Sequence, residues 1–165
     1  MKRIKMKKLS LALLLSASLP AAGQSTIREA FTAMPDSLLP YLSHSNRLDL
    51  LDYYDAKMKA EVTNDLGGKT ELLALTPDSL SLSLNGQHRL DMLLVRTDAA
   101  VDSAMQVIAV GHTYFLSSGE YERTCSIYSL RWRHTEATPA MKQRLAHFTG
   151  STLLRRDDNV FEKLK

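Results

Sequence analysis

The stretch that most constrains the fold is residues 80–84, in which leucine and serine alternate strictly. Successive side chains of a β-strand point to opposite faces, so this alternation predicts a strand with its leucines in a core and its serines in water. An asparagine–glycine pair begins the next segment, residues 85–87, and indicates a hairpin loop. Because a one-residue slip would turn every side chain to the wrong face, we expect a three-residue loop that pairs Leu82 with Leu90.

Two helices are expected before this strand. Thr26 and Glu29 have the spacing of a capping box, in which each side chain satisfies a backbone N–H of the other residue. The helix that they begin is expected to end at Pro35, since proline cannot continue a helix. Apolar residues at helical spacing predict a second helix from about residue 46 to 59.

The rest of the chain predicts more strands and a final short helix. Period-two patterns continue at residues 69–76, 89–97, 105–115 and 121–133. Pro139 marks the start of a helix that runs to about residue 148. We therefore predict an α+β fold: two N-terminal helices, then an antiparallel β-meander of about five to six strands, then a short C-terminal helix. Residues 24–150 are expected to form a single domain, and residues 151–165 a charged tail that is helical or frayed.

Residues 1–23 have the order of a cleavable signal peptide. Five basic residues precede an apolar run of roughly 11 residues, and small residues follow at Ala21 and Gly23. The run is too short for a membrane-spanning helix, which needs about 20 residues. We therefore predict cleavage near Gly23/Gln24, no stable membrane anchor afterwards, and a periplasmic location, with secretion as the second choice.

Charge and cysteine content exclude two classes of protein. The formal net charge is +3, but the predicted signal peptide carries five basic residues and no acid. The remaining chain has 16 basic and 18 acidic residues, a balance of −2, so we expect no nucleic-acid partner. The single cysteine cannot form an internal disulfide, so stability is expected to come from the core.

Few residues suggest chemistry. No two of the five histidines have the spacing of a zinc motif, and no phosphate-binding loop occurs, so no metal or cofactor is predicted. Asp49 and Asp52 lie on one turn of the second helix and are candidates for acid–base catalysis together with His112, which lies within an apolar strand. His88 follows the hairpin loop and is expected in water. A buried structural histidine and a solvated helix face are the simpler interpretations.

Tyr53 and Trp132 are the candidate ligand-binding residues. Aromatic side chains that are exposed together can form a platform for a glycan or a peptide, whereas aromatics that alternate with aliphatic residues usually build a core. Exposure of both rings would favour the platform.

Several short segments carry a family resemblance. They are residues 34–40 (Met-Pro-Asp-Ser-Leu-Leu-Pro), residues 47–53 (Arg-Leu-Asp-Leu-Leu-Asp-Tyr), Asp102-Ser103, and the aromatic pair Tyr128 and Trp132. In these segments the chain resembles a family of uncharacterised exported proteins of Bacteroidales, a domain of unknown function. The resemblance implies a location in a Gram-negative envelope and no particular activity.

Two functional hypotheses remain open. The first is a non-enzymatic envelope protein that binds an unknown protein, peptide or glycan through a sheet face or a sheet–helix cleft. The alternative is a small periplasmic hydrolase or acid–base enzyme that uses the helix carboxylates with a histidine. The absence of a dense polar motif in the sequence favours binding.

Overall fold

The chain is described by a computed structural model that covers residues 25–149. A seven-stranded antiparallel sheet dominates it, and each strand pairs with the next strand along the chain. The strands are β1 (Glu61–Thr63), β2 (Lys69–Leu75), β3 (Ser79–Asn85), β4 (His88–Val101), β5 (Ala104–Phe115), β6 (Tyr121–Ser129) and β7 (His134–Thr135). The helices are α1 (Ile27–Thr32), a 3-10 turn (Asp36–Leu38), α2 (His44–Asp55), α3 (Pro139–Arg144) and α4 (Ala146–Thr149).

The predicted α+β fold class is wrong. The structure is mainly a seven-stranded sheet with few helices, not two N-terminal helices followed by five to six strands and a short C-terminal helix. The outer strands β1 and β7 have three and two residues, which is too short for an alternating pattern to reveal them. The N-terminal helical region is a series of short segments, and the C-terminal segment divides into two short helices at Leu145. The predicted signal peptide and charged tail lie outside the described residues.

The central strands are buried on both faces. One face packs against α1 and α2 in a core that includes Leu80, Leu82, Leu90, Met92 and Ile108. The other face packs against α3 and α4 in a second core of Val95, Val107, Ala109, Ile127, Met141, Leu145 and Phe148. Apolar surface on both sides of a sheet must be covered, so helical segments flank it on both faces.

The β3–β4 hairpin has the predicted register. Leu82 pairs with Leu90, which turns the leucines to the first core. The predicted three-residue loop is wrong. The loop has two residues, Gly86 and Gln87, and the register shifts between Ser83 and Asn85 to accommodate the extra residue of β3. The predicted exposure of the β3 serines is wrong, because Ser81 is fully buried. Its hydroxyl donates to a buried carboxylate, which accounts for a polar residue at that position.

A tight turn at Asp102-Ser103 connects the two longest strands. Both residues have positive φ, 49° and 70°. This is the conformation of a type I′ turn, whose twist matches the flanking antiparallel strands. The presence of Asp102-Ser103 among the segments that resemble the family is therefore explained by its role in this turn.

A buried arginine connects the N-terminal segments. The Arg47 side chain on α2 is 2% exposed and donates to the carbonyl oxygens of Leu42 at 2.9 Å and Met34 at 2.8 Å. It also lies 2.9 Å from the carboxylate of Asp36, which is mostly exposed. Two of the segments in the resemblance, residues 34–40 and 47–53, therefore meet through this side chain.

We expect Arg47→Met to destabilise the fold by about 2–4 kcal/mol, because the substitution leaves two buried carbonyl oxygens without a donor. The ion pair with exposed Asp36 adds little to this figure. Urea unfolding followed by circular dichroism would measure the change.

Arg28→Met is the matched control. Arg28 forms an exposed ion pair with Asp55, with side chains 40% and 59% accessible. Its loss should cost less than about 1 kcal/mol. Equal effects of the two substitutions would contradict the role given to Arg47.

Candidate functional site

The three candidate catalytic residues do not come together. Asp49 and Asp52 lie on the exposed side of α2, and neither forms a hydrogen bond or ion pair with His112 in residues 25–149. His112 lies half-buried on β5, and its hydrogen-bond partner is His88. The hydrolase hypothesis required a carboxylate and a hydroxyl within reach of His112, and no described contact supplies that arrangement.

Tyr53 and Trp132 do not form a common surface. Tyr53 is 36% exposed on α2, whereas Trp132 is only 9% exposed and belongs to the first core. The indole nitrogen of Trp132 donates to the carbonyl of Ala30 at 3.2 Å. Trp132 also has a positive φ of 59°, an uncommon conformation for a bulky residue that the surrounding packing must hold. Trp132 is therefore a packing residue.

A different group of aromatic and imidazole side chains lies near the β3–β4 hairpin. His88, the first residue of β4, is its centre: its Nδ1 lies 3.0 Å from the Tyr41 hydroxyl, and its Nε2 lies 2.9 Å from Nδ1 of His112. Tyr41 comes from the segment before α2, so the group joins the helical region to two strands. We call Tyr41, His88, His112 and Tyr114 the aromatic–imidazole surface.

Ring stacking completes this surface. Tyr114 lies directly opposite His88 in the β4–β5 ladder, with ring centroids 4.2 Å apart and planes 21° apart. Tyr114 is 42% exposed. Its hydroxyl and the Nε2 of His112 form no hydrogen bond within residues 25–149. The surface therefore offers one supported ring and two polar atoms to a ligand.

Burial keeps the surface uncharged. Desolvation, with help from the neighbouring His112, lowers the pKa of His88 to about 4. Desolvation also lowers the pKa of His112, although the Asp91 carboxylate opposes this shift. The pKa of Tyr41 is raised to about 12, mainly by burial. At neutral pH the hydrogen-bonded chain of these three side chains is therefore neutral.

The sequence pattern did not identify this surface. His88 was expected in water, but the structure places it half-buried between three aromatic or imidazole partners. The register between β4 and β5 is the sequence signal that could have identified the surface. A register that pairs Leu90 with His112 also places His88 opposite Tyr114. Tyr41 comes from a loop, where strand periodicity gives no information.

Other features of the described residues offer less chemistry. One surface cleft of about 360 Å³ lies beside Pro77 and Gln106, and another of about 380 Å³ lies between the end of β4 and α3. No group of three or more potential metal ligands occurs within residues 25–149. Cys125 is a free thiol whose pKa burial raises to about 11, which keeps it protonated at neutral pH. No helix in the described part is long and apolar enough to cross a membrane.

Comparison of the chain with known protein families identifies its family. A family model described as "Protein of unknown function (DUF3256)" matches residues 21–163. The chain belongs to this family. No curated protein sequence matches it.

A solved structure resembles the DUF3256 chain in fold. It is a domain of an uncharacterised protein from Porphyromonas gingivalis W83, with a TM-score of 0.54 and 19% sequence identity. The match covers 84% of this chain and 83% of the other. At this identity the likeness concerns the fold alone.

We expect the DUF3256 domain to lose stability as the pH falls from about 6.5 to about 4, the interval between the ordinary pKa of histidine and that of His88. The folded pKa lies below the unfolded one, so the unfolded chain binds more protons in this range. Stability that is complete above pH 6.5 is therefore lost on acidification. Urea midpoints measured between pH 7.5 and pH 4 would show the trend.

Carboxylates also titrate in this range, so variants must be compared to show how much of the pH dependence of stability comes from His88. His88→Phe keeps an aromatic ring and removes the titrating group, so its midpoint should depend less on pH than that of the wild type. His44→Gln, which removes an exposed histidine at the start of α2, should keep the wild-type dependence. Identical profiles for wild type and His88→Phe would contradict the assignment.

Proposed function

We propose that this protein is exported to the cell envelope and binds a glycan there, without catalysing a reaction, through the aromatic–imidazole surface. The observation that carries the proposal is a half-exposed, neutral, hydrogen-bonded cluster with a supported aromatic ring at the solvent boundary. A peptide or protein partner would use the same ring and polar atoms, and the experiment below distinguishes these ligands.

The neutrality of the surface favours a neutral ligand. His88 and His112 have lowered pKa values, and that of Tyr41 is raised to about 12, so the three side chains carry no charge at neutral pH. A charged peptide would gain little electrostatic attraction there. The exposed face of Tyr114 suits the apolar C–H face of a sugar ring, and a tyrosine also offers a polar end.

The hydrogen-bonded chain also suits a hydroxyl-bearing ligand. If the Tyr41 hydroxyl donates to His88, then His88 donates to His112, and Nε2 of His112 presents a donor. If the chain runs in the opposite direction, Nε2 presents an acceptor. A sugar hydroxyl donates and accepts, so it fits either direction, whereas a carboxylate or an ammonium group fits only one.

Export is supported by the N-terminal sequence. Residues 1–23 contain a basic segment, a short apolar run and small residues in the order of a cleavable signal. A periplasmic location is proposed on this basis, with secretion as the alternative.

Binding can be tested on an oligosaccharide array with envelope glycans from a Gram-negative bacterium, followed by calorimetry on any ligand found. Tyr114→Ala should weaken binding at least about 10-fold, because it removes the exposed stacking ring while the core stays in place. Tyr53→Ala removes a comparably exposed tyrosine from α2 and should bind like the wild type.

Either of two results would overturn this proposal. One is that the wild type binds no glycan; binding to a peptide library that is sensitive to Tyr114→Ala would then assign the surface to a peptide partner. The other is that the Tyr53 and Tyr114 variants lose binding equally, which would place the binding site elsewhere.

Export predicts a specific N-terminus. When the full chain is expressed in a Gram-negative host, the mature protein should begin near Gln24 and fractionate with the periplasm. N-terminal sequencing by mass spectrometry would show this, and Ala21→Arg should reduce processing because signal peptidase reads small residues at that position. An intact Met1 in the cytoplasmic fraction would contradict export.

A further inference from the structure

The opposite face of the sheet contains a buried ionic group. Asp91 on β4 is fully buried and accepts hydrogen bonds from Ser81 at 2.7 Å and from Nε of Arg89 at 3.0 Å. Nη2 of Arg123 on β6 lies 3.3 Å from its second oxygen. One buried carboxylate therefore faces two guanidinium groups.

Arg123 is not satisfied by these contacts. Its side chain is 4% exposed, and its Nε and Nη1 atoms are buried without a hydrogen-bond partner among residues 25–149. These atoms carry three N–H donors. Burying donors of a charged group without acceptors is costly, and native proteins rarely do so. Desolvation accordingly lowers the pKa of Arg123 below its usual range, although Asp91 opposes the shift.

A second unpaired polar group lies beside Arg123. Thr113 on β5 pairs with Arg89 on one side and with Arg123 on the other, so its side chain shares their face of the sheet. Its hydroxyl is also buried and has no hydrogen-bond partner in the described part of the chain. Two neighbouring side chains from adjacent strands therefore have unused hydrogen-bonding capacity.

The surroundings hold the guanidinium in place. Gly111 lies on the same face of β5, and a Cβ there would be 2.7 Å from Nη2 of Arg123, so only glycine leaves room for this position. On the other side the guanidinium carbon lies 4.8 Å from the centre of the Phe148 ring. The group is oriented by packing as well as by Asp91, which is how binding arginines are usually held.

We propose that Arg123 and Thr113 form a binding site for a carboxylate group. An arginine donates to carboxylate oxygens in charge-assisted hydrogen bonds, and a threonine hydroxyl can donate a further one. The carboxylate belongs to a small-molecule ligand from solution. This site lies on the face opposite the aromatic–imidazole surface and does not depend on glycan binding.

Acetate is a suitable probe. The unfolding midpoint of the protein, expressed from the full chain, would be measured against acetate concentration, with chloride keeping the ionic strength constant. Acetate that binds only the folded state raises the unfolding free energy, and a concentration of ten times Kd changes the folding equilibrium about 10-fold. Three proteins besides the wild type decide the outcome: Arg123→Met, Thr113→Val and the exposed control Arg131→Met.

We expect acetate to stabilise the wild type and Arg131→Met to the same extent, and Arg123→Met to lose the response. Should Arg123→Met fail to fold, Thr113→Val must show a weaker acetate response than the wild type. The proposal is overturned if the wild type does not respond to acetate, or if Thr113→Val responds as strongly as the wild type.

Discussion

Burial of both faces of the central strands is the constraint on which the remaining structure depends. A sheet with one apolar face needs one covering layer, but β4 and β5 contribute to a core on each side, so two layers are needed. The segments before and after the sheet supply them. The backbone N–H of Ile27 attaches the first layer to Pro77, and Arg144 attaches the second to the carbonyl of Arg96.

The polar groups on the two faces of the sheet differ in charge and in burial. Near the hairpin on the first face, His88 and its neighbours are neutral and half-exposed, so they can exchange partners at little electrostatic cost. On the second face Asp91 and Arg123 are charged and buried, where a missing partner costs far more. A neutral surface suits a ligand that exchanges rapidly, whereas a buried charged site suits a ligand that dissociates slowly.

Local patterns in the sequence predicted local structure well. The capping box at Thr26 and Glu29 is present, and the Leu82–Leu90 register follows from the burial of alternating leucines. The fold class was wrong because β1 and β7 are too short to show a period. Ser81 was expected in water because alternation shows only that two faces differ, and the second covering layer comes from residues some 60 positions later.

The candidate site could not be predicted from patterns of this kind. Tyr41, His88 and His112 come from a loop and two strands, and their contacts depend on three-dimensional packing that one sequence does not encode in its spacing. Trp132 illustrates the opposite error, since an aromatic residue that looked suitable for a surface is held in the core by its bond to Ala30.

The order of the strands in the sheet has a consequence for how the chain folds. Each strand pairs with its sequence neighbour, so the sheet can grow by adding one hairpin at a time, with little loop entropy lost at each step. The bond from Trp132 to Ala30 spans 102 residues and cannot form until the intervening strands are in place. Closure of the first core by this tryptophan is therefore expected to be a late event in folding, after the sheet that it covers has formed.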